Sequence, residues 1–366
     1  MTKKGVIELL TSNAEILDFK MPINKSSLSA ACAGFSINNR RYLGNKYKLT
    51  NFIRNTIDNE CGEFRTFADL FAGTGAVASM FCDKHLIVND ILYSNYVSFQ
   101  TWFGTGNYSM LKIIHFINKY NNIPVQSNNY MVQNFADTYF SKANCAKIGF
   151  IREDIEKNYK ASNLSQREKC ILITSLLYAI DKIANTCGHY DAYRKNGELD
   201  KELKMALPNI GKTKFYNEIY NEDINKLVKN ISADVVYLDP PYNSRQYCDA
   251  YHLLENIARW KKPSVTGVAR KMDRSDLKSE YCRNTATRAF EDLISNIKAK
   301  YIVLSYNNMA EKGNDRSNAK ISDKEIYRIL GDKGKVKTFE QEYKAFSTGK
   351  SNIEKNAERL FVCQCY

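Results

Sequence analysis

The chain lacks most of the signals that announce metal, redox or membrane chemistry. It has four histidines, and its ten cysteines are scattered. No C-x-x-C pair occurs; the C-x-C of Cys363 and Cys365 is a weak zinc signal. The expectation is a metal-free protein with reduced thiols, several of them in the core. No apolar run approaches the roughly 20 residues that a membrane helix needs. The opening "MTKKGVIELLTSNAEILDF" carries charges through its apolar stretch and has no signal-peptide core. These absences predict a soluble cytoplasmic protein. No internal repeat or low-complexity tract is apparent, and a hydrophobic content of 44% requires a folded chain. Proline is scarce as well, with six in 366 residues, so two side by side at 240–241 stand out.

What is present in excess is positive charge. The formal net charge is +13 and the pI about 9.1, which favours a polyanionic partner, nucleic acid first. A solvated Lys/Arg surface with no such role has the same composition.

Alternating strand and helix patterns predict an α/β protein with a doubly wound sheet. "FRTFADLFAGTGAVASMF" reads as strand, glycine loop, helix, and "HLIVNDI" as a second buried strand ending in Asp90. "VVYL" before Asp239 and "AKYIVLSYNN" read as further buried strands. "KVKTFEQEY" and "RLFVCQCY" suggest a terminal antiparallel pair. Residues 1–36 look like an extension with a helix at about 5–19. Residues 91–218 are rich in Tyr, Asn and Lys and mainly helical, which suggests a lobe inserted between catalytic segments 37–90 and 219–366.

Two motifs carry chemistry. In "DLFAGTG", Gly73 and Gly75 permit a tight turn and close approach of a ligand to backbone. With Ala78 the loop fits a loose dinucleotide fingerprint. Asp90 lies 21 residues after Asp69, at the end of the next strand, and is placed to accept from ribose hydroxyls. Nicotinamide dinucleotides and S-adenosylmethionine both carry such a ribose. Asp69 would repel a pyrophosphate and suits a cation, which favours S-adenosylmethionine.

The second motif is "DPPY", residues 239–242. Proline stops the strand and leaves a stiff loop at its carboxyl end, where ligands bind in open α/β sheets. Asp239 and the Pro240 carbonyl are adjacent acceptors able to hold both hydrogens of an exocyclic amine. Pro241 shapes the loop, and Tyr242 offers a face on which a base turned out of a duplex can stack. The bland alternative is an ordinary strand-ending turn.

"YLGNK" (42–46), "DLFAGTG" (69–75), "ND" (89–90) and "DPPY" in this order resemble the motifs of the Dam-like, alpha-group adenine-N6 DNA methyltransferases. The similarity covers about residues 37–366. "AYHLLE", "LSYNN" and "KSNIEKNAERLFV" add weaker matches. The resemblance implies a Rossmann-like S-adenosylmethionine-dependent fold with an inserted target-recognition lobe. It implies that Tyr42 and Lys46 line the cofactor pocket, Tyr42 standing where such enzymes often carry tryptophan. Asp69, Phe71, Gly73 and Gly75 would form the floor under the methionine moiety, Asp90 would bind the ribose, and Asp223 would approach the cofactor's adenine. Asp223 also reads as a helix cap. Asp239, Pro240, Pro241 and Tyr242 would hold the target adenine in double-stranded DNA. A bacterial or phage source and a separately encoded restriction endonuclease as partner follow from the same resemblance.

"GHYDAYRKN" (188–196) is the best candidate for a DNA-contacting loop in the helical lobe. Residues 261–288, with eight Lys/Arg against three Asp/Glu, form a second. Arg245, Tyr247 and Tyr251 follow DPPY and would either line the flipped-base pocket or fill the displaced base's place. RNA adenine dimethylases, a rival class, more often carry Asn where Asp239 stands and lack the "YLGNK" entry. A nicotinamide oxidoreductase leaves DPPY without a task, and a non-catalytic DNA-binding module leaves both motifs without one.

Overall fold

The computed structural model describes residues 35–211, 215–307, 319–342 and 357–366. Apart from Phe35 and Ser36, the expected extension and its helix lie outside them. Seven strands form one sheet: β1 (Thr66–Asp69), β2 (His85–Asn89), β3 (Glu218–Tyr220), β4 (Ala233–Leu238), β5 (Ala299–Asn307), β6 (Gly334–Glu342) and β7 (Ala357–Cys365). Their order is β3-β2-β1-β4-β5-β7-β6. The first five pair in parallel. β7 runs antiparallel between β5 and β6, so the expected terminal pair forms.

The parallel strands are covered on both faces and therefore read as continuous apolar runs. Val235, Val236, Tyr237 and Leu238 of β4 are all buried, as are Phe67 and Ala68 of β1. The chain leaves β1 for β2 and β3 on one side, then returns to β4 and β5 on the other. The order thus reverses between β1 and β4, and a crevice opens at their carboxyl ends. Asp69 ends β1, and Asp239 directly follows β4.

A 3₁₀ turn at Lys46–Leu49 leads into α1 (Thr50–Cys61) ahead of β1. Between β2 and β3 lie α2 (Tyr93–Trp102), α3 (Met110–Asn122), α4 (Tyr130–Phe135), α5 (Lys142–Lys160) and α6 (Gln166–Ile183). α6 begins with a capping box in which Ser165 and Glu168 satisfy each other's backbone N–H groups. It is buried nearly all round, as its apolar composition requires. After β3 come α7 (Ile224–Leu227), α8 (Tyr247–Ala250), α9 (His252–Arg259), α10 (Ala286–Asn296) and α11 (Asp323–Gly331).

Two features differ from expectation. The glycine loop does not open an α-helix; it closes in a four-residue 3₁₀ turn, Ala78–Phe81. β2 begins at His85, which leaves no chain for a further turn. The helical core is also not made by residues 91–218 alone. Leu253, Leu254, Ile257, Trp260, Met272 and Leu277, all downstream of β4, belong to it.

Arg152 fastens α5 to α9. It is fully buried, its Nε donates to the Ile257 carbonyl at 2.8 Å, and its Nη2 donates to the Ala258 carbonyl at 3.2 Å and to Glu156 at 2.6 Å. Removing it strands two carbonyls in the interior and leaves Glu156 with Lys169 as its remaining cation. Arg152→Ala is expected to lose about 3 kcal/mol of stability, read as a lower urea midpoint at unchanged slope.

Candidate active site

A cavity of about 590 Å³ occupies the crevice. Tyr42, Lys46, Asp69, Phe71, Gly73, Asp90, Asp223, Asp239 and Pro241 all line it, so segments far apart in sequence meet there. Gly75, Pro240 and Tyr242 are not on its wall. Gly75 holds φ +77° while Phe99 and Phe103 pack where a Cβ would stand. Pro240 is buried. Tyr242 lies edge-on to Tyr306 at 6.3 Å, and its carbonyl accepts from the Lys320 N–H at 2.8 Å.

The glycine loop is braced by carboxylates. Asp69 Oδ2 accepts from the Ala78 N–H at 3.0 Å, while Oδ1 is buried with no hydrogen-bond partner among the described residues. Burial pushes the Asp69 carboxyl up to about 8; the Ala78 N–H opposes this, and Asp239 and Asp90 add to it. Asp90 Oδ2 accepts from the Gly73 N–H at 2.9 Å and Oδ1 from the Leu92 N–H at 2.8 Å. Burial raises it to about 6 against those two bonds. Gly73 holds φ +53°, and a Cβ there would stand 3.2 Å from the Tyr42 ring. The turn and the ring therefore require glycine together.

Tyr42 is itself supported. Its ring stacks on Tyr251 at 4.5 Å with an interplanar angle of 8°, and its hydroxyl accepts from Asn95 Nδ2 at 3.0 Å. Tyr251 is buried, and its hydroxyl accepts from the Leu43 N–H at 2.7 Å. Tyr251 therefore backs Tyr42, whereas Tyr247 reaches the cavity wall and Arg245 is exposed.

Lys46 joins the cofactor side to the DPPY side. Its Nζ lies 2.9 Å from Asp239 Oδ1 and 3.4 Å from Glu358 Oε1. Burial works against the ammonium, but the two carboxylates hold Lys46 above the ordinary lysine value. Burial likewise lifts Asp239, to about 6, with Lys46 drawing it down and Glu358 pushing it up. At neutral pH the pair is an ammonium beside a carboxylate.

Asp223 reads from the sequence as a helix cap, and the structure shows that cap. It caps α7, accepting from the Lys226 N–H at 3.3 Å, and it lines the cavity. Next to it, Phe71 meets Tyr281 edge-on at 5.1 Å, and the Tyr281 hydroxyl donates to Asn225 Oδ1 at 2.8 Å. The sequence reading missed Asn225, Tyr281 and Glu358. Tyr281 lies in the basic 261–288 segment, part of which forms cavity wall from Asp276 to Tyr281. That segment also meets the 188–196 loop, through Lys271 Nζ and Asp191 Oδ1 at 2.9 Å. Ala192 and Arg194–Asn196 stay exposed. Among the described residues, no cluster of His, Cys, Asp and Glu is placed to hold a metal ion. Nor, among them, is any helix long and apolar enough to cross a membrane.

A family model described as D12 class N6 adenine-specific DNA methyltransferase matches residues 42–316. The modification methylase StsI of Streptococcus sanguinis is 36% identical over 285 residues, 73% of this chain and 44% of that protein. The modification methylase LlaI of Lactococcus lactis subsp. lactis is 30% identical over 87% of this chain and 53% of its own length. The type II methyltransferase M.NlaIII of Neisseria lactamica is 33% identical over 86% of this chain and 96% of its own length. The chain thus spans about half of the first two relatives and nearly all of the third. With the glycine loop, the DPPY loop and the family match on the same crevice, the chain belongs to the D12 class of N6 adenine-specific DNA methyltransferases.

Proposed function

We propose that the chain methylates the exocyclic N6 amine of an adenine in double-stranded DNA, with S-adenosylmethionine as methyl donor and the adenine turned out of the helix. The observation that carries this reading is that Asp239 lines the same cavity as Asp69, Gly73 and Asp90. Its volume of about 590 Å³ suits a nucleoside-sized ligand. The residues fit the donor, since the orphaned Asp69 Oδ1 is an acceptor in want of a cation or amine. Asp69, Phe71, Gly73 and Tyr42 would hold its amino-acid end, Asp90 its ribose, and Asp223 with Asn225 its base. S-adenosylmethionine, when bound, supplies a methyl group activated by a sulfonium.

The chain's own part is positioning and charge. The adenine amine is a poor nucleophile because its lone pair is delocalised into the ring. Asp239 and the Pro240 carbonyl accept its two hydrogens and turn the lone pair toward the methyl group. The excess proton leaves after the methyl arrives. Tyr247 flanks the entering base from the cavity wall, with Tyr242 close to it but off that wall, and exposed Lys and Arg of 188–196 and 261–288 hold phosphates. A modification role beside a separately encoded restriction endonuclease, in a bacterial or phage-infected cytoplasm, is part of this reading. The relatives named modification methylases support it.

The test is transfer of labelled methyl groups to unmethylated duplex DNA, followed by nucleoside analysis. N6-methyladenine is the expected product. Methylation confined to RNA would move the substrate assignment, and no methylation of either would overturn it. Asp239→Ala is expected to abolish transfer, by about 10³-fold or more, with the thermal unfolding curve intact.

A second prediction follows from Asp69. Its folded pKa of about 8 exceeds the unfolded value near 4, so its contribution to stability is full below pH 4 and lost as pH rises toward 8. A cationic ligand favours the ionised form. Binding near pH 7 should therefore release a proton, and affinity should rise from pH 6 to 8. Calorimetry in two buffers of different ionisation enthalpy reads that proton. Asp69→Asn should weaken S-adenosylmethionine binding at least tenfold, yet raise the ligand-free melting temperature at pH 8.5 by about 2–5 °C.

A further inference from the structure

Glu358 is a buried acid with no role in the chemistry described so far. It stands near the start of β7, with its side chain 6% exposed. Its Oε1 accepts from the Ser305 hydroxyl of β5 at 2.6 Å and lies 3.4 Å from the Lys46 ammonium. On its other side that ammonium lies 2.9 Å from Asp239 Oδ1. Two carboxylates therefore share one ammonium in a desolvated pocket. Glu358 is not on the cavity wall, so it acts on a ligand only through Lys46.

The arrangement has a chemical consequence. An isolated Lys46–Asp239 pair would place the whole ammonium charge on the oxygen that must attract the target amine's hydrogens. A second carboxylate divides that charge and anchors the ammonium from behind. Resting on the proposed function, we propose that Glu358 is a positioning residue for methyl transfer. It holds Lys46 in place and keeps Asp239 a strong acceptor for the amine. The groups facing Asp239 are Lys46, Glu358, Tyr237, Tyr247 and, across the cavity, Asp69. Those facing Glu358 are Lys46, Ser305 and, beyond the shared ammonium, Asp239. Among the groups that act on the Asp239 titration, Glu358 pushes it upward.

Glu358→Gln is the decisive variant, because an amide oxygen can accept from both Ser305 and Lys46 while the charge is lost. The measurement is the single-turnover methyl-transfer rate on duplex DNA between pH 5 and 9. The expected result is a rate about tenfold or more below wild type at pH 7.5. Its acid limb should shift to lower pH by about half a unit or more, with S-adenosylmethionine affinity within about twofold of wild type. A merely structural role would lower the rate at every pH and leave the limb in place. An unmoved limb in Glu358→Gln overturns the proposal whatever the rate. Should that variant not fold, Glu358→Asp keeps the charge but withdraws it from Lys46. A smaller shift in the same direction supports the proposal, and none overturns it. Failure of the wild-type chain to methylate DNA would instead strike the proposed function, which separates the two.

Discussion

Carboxylates that must be buried together are the constraint on which this structure depends. Asp69, Asp90, Asp239 and Glu358 gather at one end of the sheet, where desolvation and mutual repulsion both oppose their charge. Each has a distinct answer to that cost. Asp90 receives two backbone N–H groups, and Asp239 and Glu358 share Lys46. Asp69 receives one N–H and is held mostly in its neutral form. The least compensated acid is the one best placed to gain from a cationic ligand, so instability of the ligand-free site and affinity for the ligand have one physical source.

The helical core supports this end of the sheet from behind. Glu255 of α9 is fully buried and accepts from the Tyr93 and Ser94 N–H groups, both at 2.9 Å. An acid from α9 thus satisfies the first turn of α2, whose start directly follows Asp90 and Leu92. Tyr251, at the start of the same helix, stacks behind Tyr42. The segment after DPPY therefore has two roles. Its first residues border the cavity, and its helix fixes the aromatic wall and the loop that carries Asp90.

Much of this was legible in the sequence because the informative residues are local. Glycines forced to positive φ, an acid ending a strand and two adjacent prolines are visible within a few positions of one another. Their order along the chain indicated one crevice; Asp69, Gly73, Asp239 and Pro241 line it, while Gly75 and Pro240 are off its wall. The strand order was less legible. β7 lies between β5 and β6, and an apolar run carries no record of its neighbours. Glu358 was hidden because its partner Lys46 lies at the opposite end of the chain. Nothing in "AERLFV" marks one acid as the occupant of an interior ion cluster. Tyr281 was obscured by its surroundings, since a strongly basic stretch reads as solvent-exposed surface even where part of it forms a wall.

The charge distribution separates recognition from chemistry. The chain as a whole is strongly basic, yet acids outnumber bases on the cavity wall: Asp69, Asp90, Glu222, Asp223, Asp239, Asp276, Glu280 and Asp292 against Lys46, Lys226, Lys278 and Arg288. On the proposed function, a basic exterior would draw the DNA backbone by long-range attraction that salt weakens. An acidic interior repels a phosphate group over short distance, where little water screens the charge. A neutral base feels no such repulsion, and its exocyclic amine, a donor, meets acceptors. On the proposed function, such an arrangement would favour entry of a neutral base over entry of the phosphate backbone. On the same reading, site selection would fall to surface outside the cavity, such as the 188–196 loop and the 261–288 segment, which are tied together through Lys271 and Asp191.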